Sequence, residues 1–355
     1  MTPIRSADAS ARSTSWLAGL FPGYFALVMA TGIVAIAAAQ QEIHWLADGL
    51  FGAALISYVV LAVLFVARLV RHRNAFVGDL TSHLKGPSFL TLVAGTNVLG
   101  SAAVVVGEWW WLGWTLWVVG IALWMVLVYT IFAALMLREP KPAVAQGING
   151  TWFLFTVATQ SVAVLGALLS MRVAAPEILL FVCACAFFLG LFLYMVVATL
   201  VVYRFVFVEL RVEETHPPYW ISLGAAAISV LAGSNLLLVP GSSAIVKQLD
   251  PFLSGMVVLA WATATFWIPV MIVLGAWRHG VRRVPVRYDP QYWSLVFPLG
   301  MYSVATFRMA AAVDIDFLDG LPKVMLGVAL IAWTLAFVGL LRLLLAVAWR
   351  TTRAS

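Results

Sequence analysis

The sequence predicts an all-α integral membrane protein: ten transmembrane helices, paired as five helical hairpins, with the odd-numbered helices inside the even-numbered ones. Three observations carry this. The 355 residues are 63% hydrophobic and only 10% charged, with 16 Trp and 21 Phe, whereas soluble domains average about 25% charged residues. Ten apolar stretches are each long enough to cross a hydrocarbon core of about 30 Å at about 1.5 Å per helical residue. Finally, the odd stretches open alike and recur at regular intervals along the chain.

The apolar stretches run at about 21–40, 46–70, 87–107, 109–137, 149–171, 176–204, 218–239, 251–277, 290–311 and 321–349. They sit in one ten-helix domain over 16–350, between a disordered cytoplasmic head, 1–15, and a cytoplasmic tail, 351–355. Arg5 and Arg12 before the first stretch resemble the start of a cleaved signal. That stretch outruns the 7–15-residue apolar core of a signal peptide, so it reads as the first helix. Loop charges set the orientation. With both termini in the cytoplasm, only Arg172, Lys247, Arg308 and Lys323 of the 21 Lys and Arg fall outside, a strong positive-inside bias. Outer loops carry Glu42, Asp48, Glu108, Glu177, Asp250, Asp314, Asp316 and Asp319 instead. These features place the chain in a plasma membrane, the inner membrane in a bacterium.

Near the start of each odd helix stands an aromatic residue: Tyr24, Phe89, Trp152, Trp220 and Trp293, at intervals of 65, 63, 68 and 73 residues. A small residue follows seven positions on in each, namely Thr31, Thr96, Thr159, Ala227 and Gly300. The spacing predicts five hairpins. Polarity separates the two members of each hairpin, because Ser, Thr, Asn and Gln are more than twice as numerous in the odd stretches as in the longer even ones. Polar side chains avoid lipid, so the odd helices form the inner set and surround a central conduit. Candidates to line it are Thr31, Thr96, Asn97, Ser101, Thr156, Thr159, Gln160, Ser229, Ser234, Asn235, Ser303 and Thr306. Each of these also has a purely structural reading, as a hydrogen-bonding group between helices.

The ninth stretch stands apart. In YWSLVFPLGMYSVATFRMAA, from Tyr292 to Ala311, Pro298 removes one helical hydrogen bond and Phe297 puts a bulky ring beside it. Arg308 is the one charge well inside a pore-lining span; an arginine near a helix end otherwise snorkels to the headgroups.

Other classes find little support. Cys183 and Cys185 lie two apart in an apolar run and point to different helix faces, as free packing thiols. His44, His72, His83, His216 and His279 fall in loops without ligand spacing, so no metal site or cofactor is expected. No GxSxG, HExxH or phosphate-binding glycine loop occurs, which argues against an enzyme. The formal net charge of +6 belongs to membrane topology and implies no nucleic-acid partner.

The runs FPGYFALVMATGI, Phe21 to Ile33, and YWSLVFPLG, Tyr292 to Gly300, resemble the tellurite-resistance/dicarboxylate transporter family. That family includes bacterial tellurite-resistance channel homologues, fungal malate permeases and sulfite pumps, and the slow anion channels of plant guard cells. The resemblance covers about residues 16 to 349. It implies five hairpins in a quasi-fivefold ring around one pore per subunit, and a homotrimer in many members. It further implies that Phe297, beside Pro298, plugs the pore. Ala305-Thr306-Phe307-Arg308 looks like the setting of an arginine in dicarboxylate-carrying members, which implies an anion-binding role for Arg308.

The residues agree with an anion path. No carboxylate lies deep in a span to carry a proton or bind a cation, and Arg308 with hydroxyls and amides could attract anions. The expectation is therefore transmembrane transport of small anions, either C4-dicarboxylates such as malate or inorganic anions and oxyanions, through a phenylalanine-gated pore. The alternatives are a proton-coupled carboxylate carrier or a sulfite- or tellurite-related efflux protein. A neutral pore for uncharged solutes is a further rival.

Overall fold

A computed structural model of the chain describes residues 16–239 and 244–354. The expected head, 1–15, lies outside the described residues, as does residue 355 of the expected tail. Among the described residues the chain is helical without strands, and ten helices are long and apolar enough to span a membrane. They are α1 (Pro22–Gln40), α2 (His44–Arg71), α3 (Gly86–Val105), α4 (Trp110–Leu137) and α5 (Gly150–Ser170). The second half comprises α6 (Glu177–Phe207), α7 (Pro217–Leu237), α8 (Val246–Val281), α9 (Pro290–Ala312) and α10 (Asp316–Ala346). Helical structure continues beyond α10 to Ala354, through most of the expected tail.

Each odd helix packs against the even helix that follows it, forming the five hairpins. The odd helices also touch in the order α1–α3–α5–α7–α9 and back to α1, so their contacts close into a cycle. Every even helix lies in the groove between its own odd helix and the next one, with α10 reaching α1. This cyclic pattern fits five hairpins around one axis. Burial separates the two sets: 67–94% of the apolar window of each odd helix is buried, against 22–39% for the even helices. Polar side chains therefore mark the inner helices, as the cost of a polar group against lipid requires.

All five inner helices begin with a 3₁₀ turn: Pro22–Phe25, Gly86–Phe89, Gly150–Phe153, Pro217–Trp220 and Pro290–Tyr292. The sequences explain it. Pro or Gly opens each turn, where the fixed φ of proline and its missing N–H cost nothing at a helix start. Asn149 and Asp289 cap two of these starts, accepting from the backbone N–H of Thr151 and Gln291, each at 2.8 Å. Gly150 is required by packing, because a Cβ there would run into the backbone of Pro218 at the start of α7.

These turns also refine the repeat. The structurally equivalent aromatics are Phe25, Phe89, Phe153, Trp220 and Trp293, so Tyr24 and Trp152 stand one residue out of register. The equivalent rings face outward. Phe25 packs against Tyr58 and Phe65, Phe153 against Tyr194 and Trp267, and Trp293 against Trp333. They join the inner set to the outer set.

Candidate functional site

The inner helices enclose a chamber of about 130 Å³ in their C-terminal halves. Its lining follows one rule in every helix. Ile33, Ile36 and Gln40 come from α1, Val98, Ser101 and Val105 from α3, and Ser161, Val164 and Leu168 from α5. Ile228, Leu231 and Asn235 come from α7, and Met301, Val304 and Arg308 from α9, with Phe307 beside them. In each triplet the spacing is i, i+3, i+7, which is a single helical face. Five corresponding faces therefore border one chamber.

One turn deeper on the same faces come Met29, Ala94, Val157, Gly224 and Phe297, all buried. Phe297 is 1% exposed. A Cβ at Gly224 would lie 3.2 and 3.3 Å from the Phe297 ring and 2.9 Å from Pro298 Cγ, so the missing side chain is what leaves space for the ring. Pro298 sits inside a continuous helix, Trp293–Ala312, and has no N–H to offer the carbonyl of Ser294. Beyond this layer, at the opposite end of the inner helices, a second cavity of about 220 Å³ touches the start of all five. Phe21, Ser88, Thr151, Tyr219 and Gln291 line it, with Lys85 and Glu214 among its neighbours. Five helix N-termini, the positive ends of their dipoles, thus surround this vestibule. Along α9, Phe297 lies between Gln291 of this vestibule and Met301 of the chamber.

Arg308 is the charge of the chamber. Its Nε donates to Asn235 Oδ1 at 3.0 Å, while the buried Nη2 donates to no protein group. No carboxylate among the described residues pairs with it. An unneutralised guanidinium in a half-buried wall attracts anions and rejects cations. Ser101, Ser161, Gln40 and Asn235 supply the remaining polar groups of the lining, among otherwise apolar side chains. Among the described residues no Asp, Glu or His lines the chamber.

The structure distributes the residues singled out in the sequence among different positions. Arg308, Ser101 and Asn235 line the chamber, and Phe297 with Pro298 lies beneath it. Thr31, Thr96, Thr159 and Thr306 sit on the far side of their helices, about half a turn from the axial face. There each meets an aromatic group of an even helix: Trp333 Nε1 donates to Thr31 at 3.0 Å, Trp124 Nε1 to Thr159 at 2.9 Å and Trp261 Nε1 to Thr306 at 3.0 Å. Tyr58 OH and Thr96 Oγ1 are 3.0 Å apart. In every case the even helix belongs to the preceding hairpin, with α10 clasping α1.

Asn97 and Gln160 point sideways between inner helices. Asn97 Nδ2 donates to Ser161 Oγ at 3.0 Å, and Gln160 Nε2 donates to Ser229 Oγ at 3.0 Å and to Phe187 O at 3.1 Å. Ser303 Oγ donates to Pro322 O at 2.7 Å, towards α10. The polarity of these side chains serves helix–helix hydrogen bonds. Residues that line the chamber without having drawn notice in the sequence include Gln40, Ser161, Ile33, Val98 and Met301. In the register of the 3₁₀ turns a scan for the same i, i+3, i+7 face finds those in α1, α5 and α9, whereas the face of α3 lies one residue further on, so Val98 emerges only from the structure.

Comparison with known proteins bears on this arrangement. The model of the voltage-dependent anion channel family matches residues 19–341. An uncharacterized membrane protein of Mycobacterium tuberculosis is 39% identical over 166 residues, covering 46% of this chain and 83% of its own length. Two uncharacterized transporters of Methanocaldococcus jannaschii are 22% and 21% identical, over 79% and 86% of this chain and 81% and 89% of theirs. The family match takes in all five inner helices, the chamber and the phenylalanine beneath it: the chain belongs to the voltage-dependent anion channel family.

Proposed function

We propose that the chain conducts small anions along the axis of its inner helices, with Phe297 as a plug and Arg308 as the anion-attracting group of the wider chamber. The observation that carries this reading is the set of five equivalent helix faces leading to one unpaired arginine. Five helix N-termini at the other end favour anions there as well. The substrate class is C4-dicarboxylates such as malate, or inorganic anions and oxyanions, since a single cation among hydroxyls and amides suits small anions. No enzymatic step is required of any residue. The chain sits in a bacterial inner membrane with both termini cytoplasmic, so the vestibule faces inward and the Arg308 chamber outward. It assembles as a homotrimer, as its family resemblance implies.

Cysteine scanning in proteoliposomes tests the path. Ser161→Cys places a thiol on the axial face, whereas Thr159→Cys places one against Trp124. A charged, water-soluble thiol reagent is expected to modify the first and change anion flux, and to leave the second unmodified. Modification of Thr159→Cys with Ser161→Cys inert would place the conduit elsewhere.

A further inference from the structure

A second repeat runs along the end of the molecule where the vestibule lies. Each even helix carries an arginine near its C-terminal end: Arg68, Arg138, Arg204, Arg278 and Arg342. Four of them reach back to the segment that leads into the odd helix of their own hairpin and donate to its carbonyls. Arg68 binds Ala18 O at 3.0 Å, and Arg138 binds Thr81 O at 2.6 Å. Arg204 binds Ile148 O, and Arg278 binds Val212 O at 2.6 Å and Thr215 O at 2.8 Å. Arg68 and Arg204 additionally pair with Asp79 and Glu214. The fifth differs. Among the described residues Arg342 has neither a hydrogen bond nor an ion pair, and it is exposed.

In the fifth hairpin the leading segment passes α10 differently. It has no regular secondary structure over residues 283–289, and the Tyr288 ring lies directly on Gly339, where a Cβ would collide with it. Tyr288 is held there by Trp293 Nε1, which donates to its hydroxyl at 3.1 Å. Beside this contact a groove of about 540 Å³ opens on the outer face. Val286, Tyr288, Leu295, Ala332 and Ala336 line it, and Arg342 stands at one end. From Ala332 to Arg342 the helix rises about 15 Å at 1.5 Å per residue. That is half of a hydrocarbon core of about 30 Å, the depth of one leaflet.

We propose that this groove binds one acyl chain of an anionic phospholipid, with the lipid phosphate held by Arg342. The groove is apolar along its length and cationic at its headgroup end, which is the polarity of such a lipid. Arg282, Arg283 and Arg287 lie on the same connection and add to the positive field there, as in other basic interhelical pockets that take acidic headgroups. The guanidinium that its four counterparts commit to backbone carbonyls is left available to a phosphate. The site is separate from the axial path, so its test is independent of conduction.

The test uses the whole purified chain in detergent, titrated with dioleoylphosphatidylglycerol or dioleoylphosphatidylcholine and read by native mass spectrometry. One phosphatidylglycerol is expected to bind in preference to phosphatidylcholine. Arg342→Gln should weaken phosphatidylglycerol by about fivefold and leave phosphatidylcholine unchanged, while Arg342→Lys retains the preference. Arg138→Gln, whose guanidinium is committed to Thr81, should leave the preference intact. Ala332→Phe, which fills the groove, should weaken both lipids. Equal binding of the two lipids, or no effect of Arg342→Gln on a folded, monodisperse sample, overturns the proposal. So does an Ala332→Phe variant that changes the oligomer mass without changing lipid binding, since a second copy would then be what covers the groove.

Discussion

Replacing Phe297 by alanine separates a plug from a packing residue, because the two roles predict opposite consequences for transport. The ring is 1% exposed, faces the axis one turn beneath Met301 and rests in the space left by Gly224. To open the path it must leave that place. Losing the burial of a phenylalanine costs about 2 kcal/mol, and an off-rotamer side chain costs about 1 kcal/mol. Together these make the open state about 3 kcal/mol less favourable, which at about 1.4 kcal/mol per tenfold is roughly 100-fold in the open fraction. Phe297→Ala is therefore expected to raise anion flux per folded molecule by up to about two orders of magnitude. The vacated space adjoins the chamber above it and can hydrate, so the loss of stability should fall short of the 3–5 kcal/mol typical of a sealed core cavity. The assay is anion efflux from proteoliposomes, normalised to the protein recovered as a single gel-filtration peak. Flux per folded molecule that is unchanged or reduced, with stability lowered by the full cavity cost, would refute the reasoning and leave Phe297 as a packing residue.

Three further perturbations probe the remaining parts. Gly224→Ala introduces a Cβ 2.9 Å from Pro298 Cγ and 3.2 Å from the Phe297 ring; it should destabilise the chain by about 1–3 kcal/mol, and by less when combined with Phe297→Ala, as thermal unfolding of the double-mutant cycle will read. Arg308→Ala should weaken uptake of divalent carboxylates more than of chloride-sized anions, by about 1 kcal/mol for a charge in a half-exposed wall; equal loss for charged and neutral solutes in the same flux assay would mark it as structural. Trp333→Phe deletes the 3.0 Å bond to Thr31 and should cost about 0.6 kcal/mol of stability in detergent while anion selectivity stays as in the parent, whereas a change in selectivity would return Thr31 to the conduit. For orientation, reporter fusions near Arg282 and Arg283 should read cytoplasmic and those near Asp316 external; the reverse pattern overturns the assigned topology.

By itself the sequence determined the membrane class, the ten spans, their pairing into hairpins and the division into inner and outer helices. All of these follow from where apolar and polar residues can lie relative to lipid, and that is a one-dimensional property of the chain. It also marked Phe297, Pro298 and Arg308, because a bulky ring beside a proline and a lone charge are conspicuous in an apolar span. The structure alone decided which face of each inner helix meets the axis. An ordinary amphipathic helix reveals its buried face by the period of its apolar residues, but the inner helices are buried on every side, and that signal vanishes. A hydroxyl such as Thr159 is equally plausible in sequence facing the axis, a neighbour or the outer set; only the position of Trp124 shows that it faces outward. Conversely Ser161, two residues on, reaches the chamber. Relative to the 3₁₀ turns Tyr24 and Trp152 stand one residue before Phe25 and Phe153; adjacent aromatics in such a turn differ in direction by about 120°, and only packing against α2 and α6 tells them apart. Axial position was decided by tertiary contacts because, in a helix surrounded by protein, polarity records that a partner exists and not where it lies.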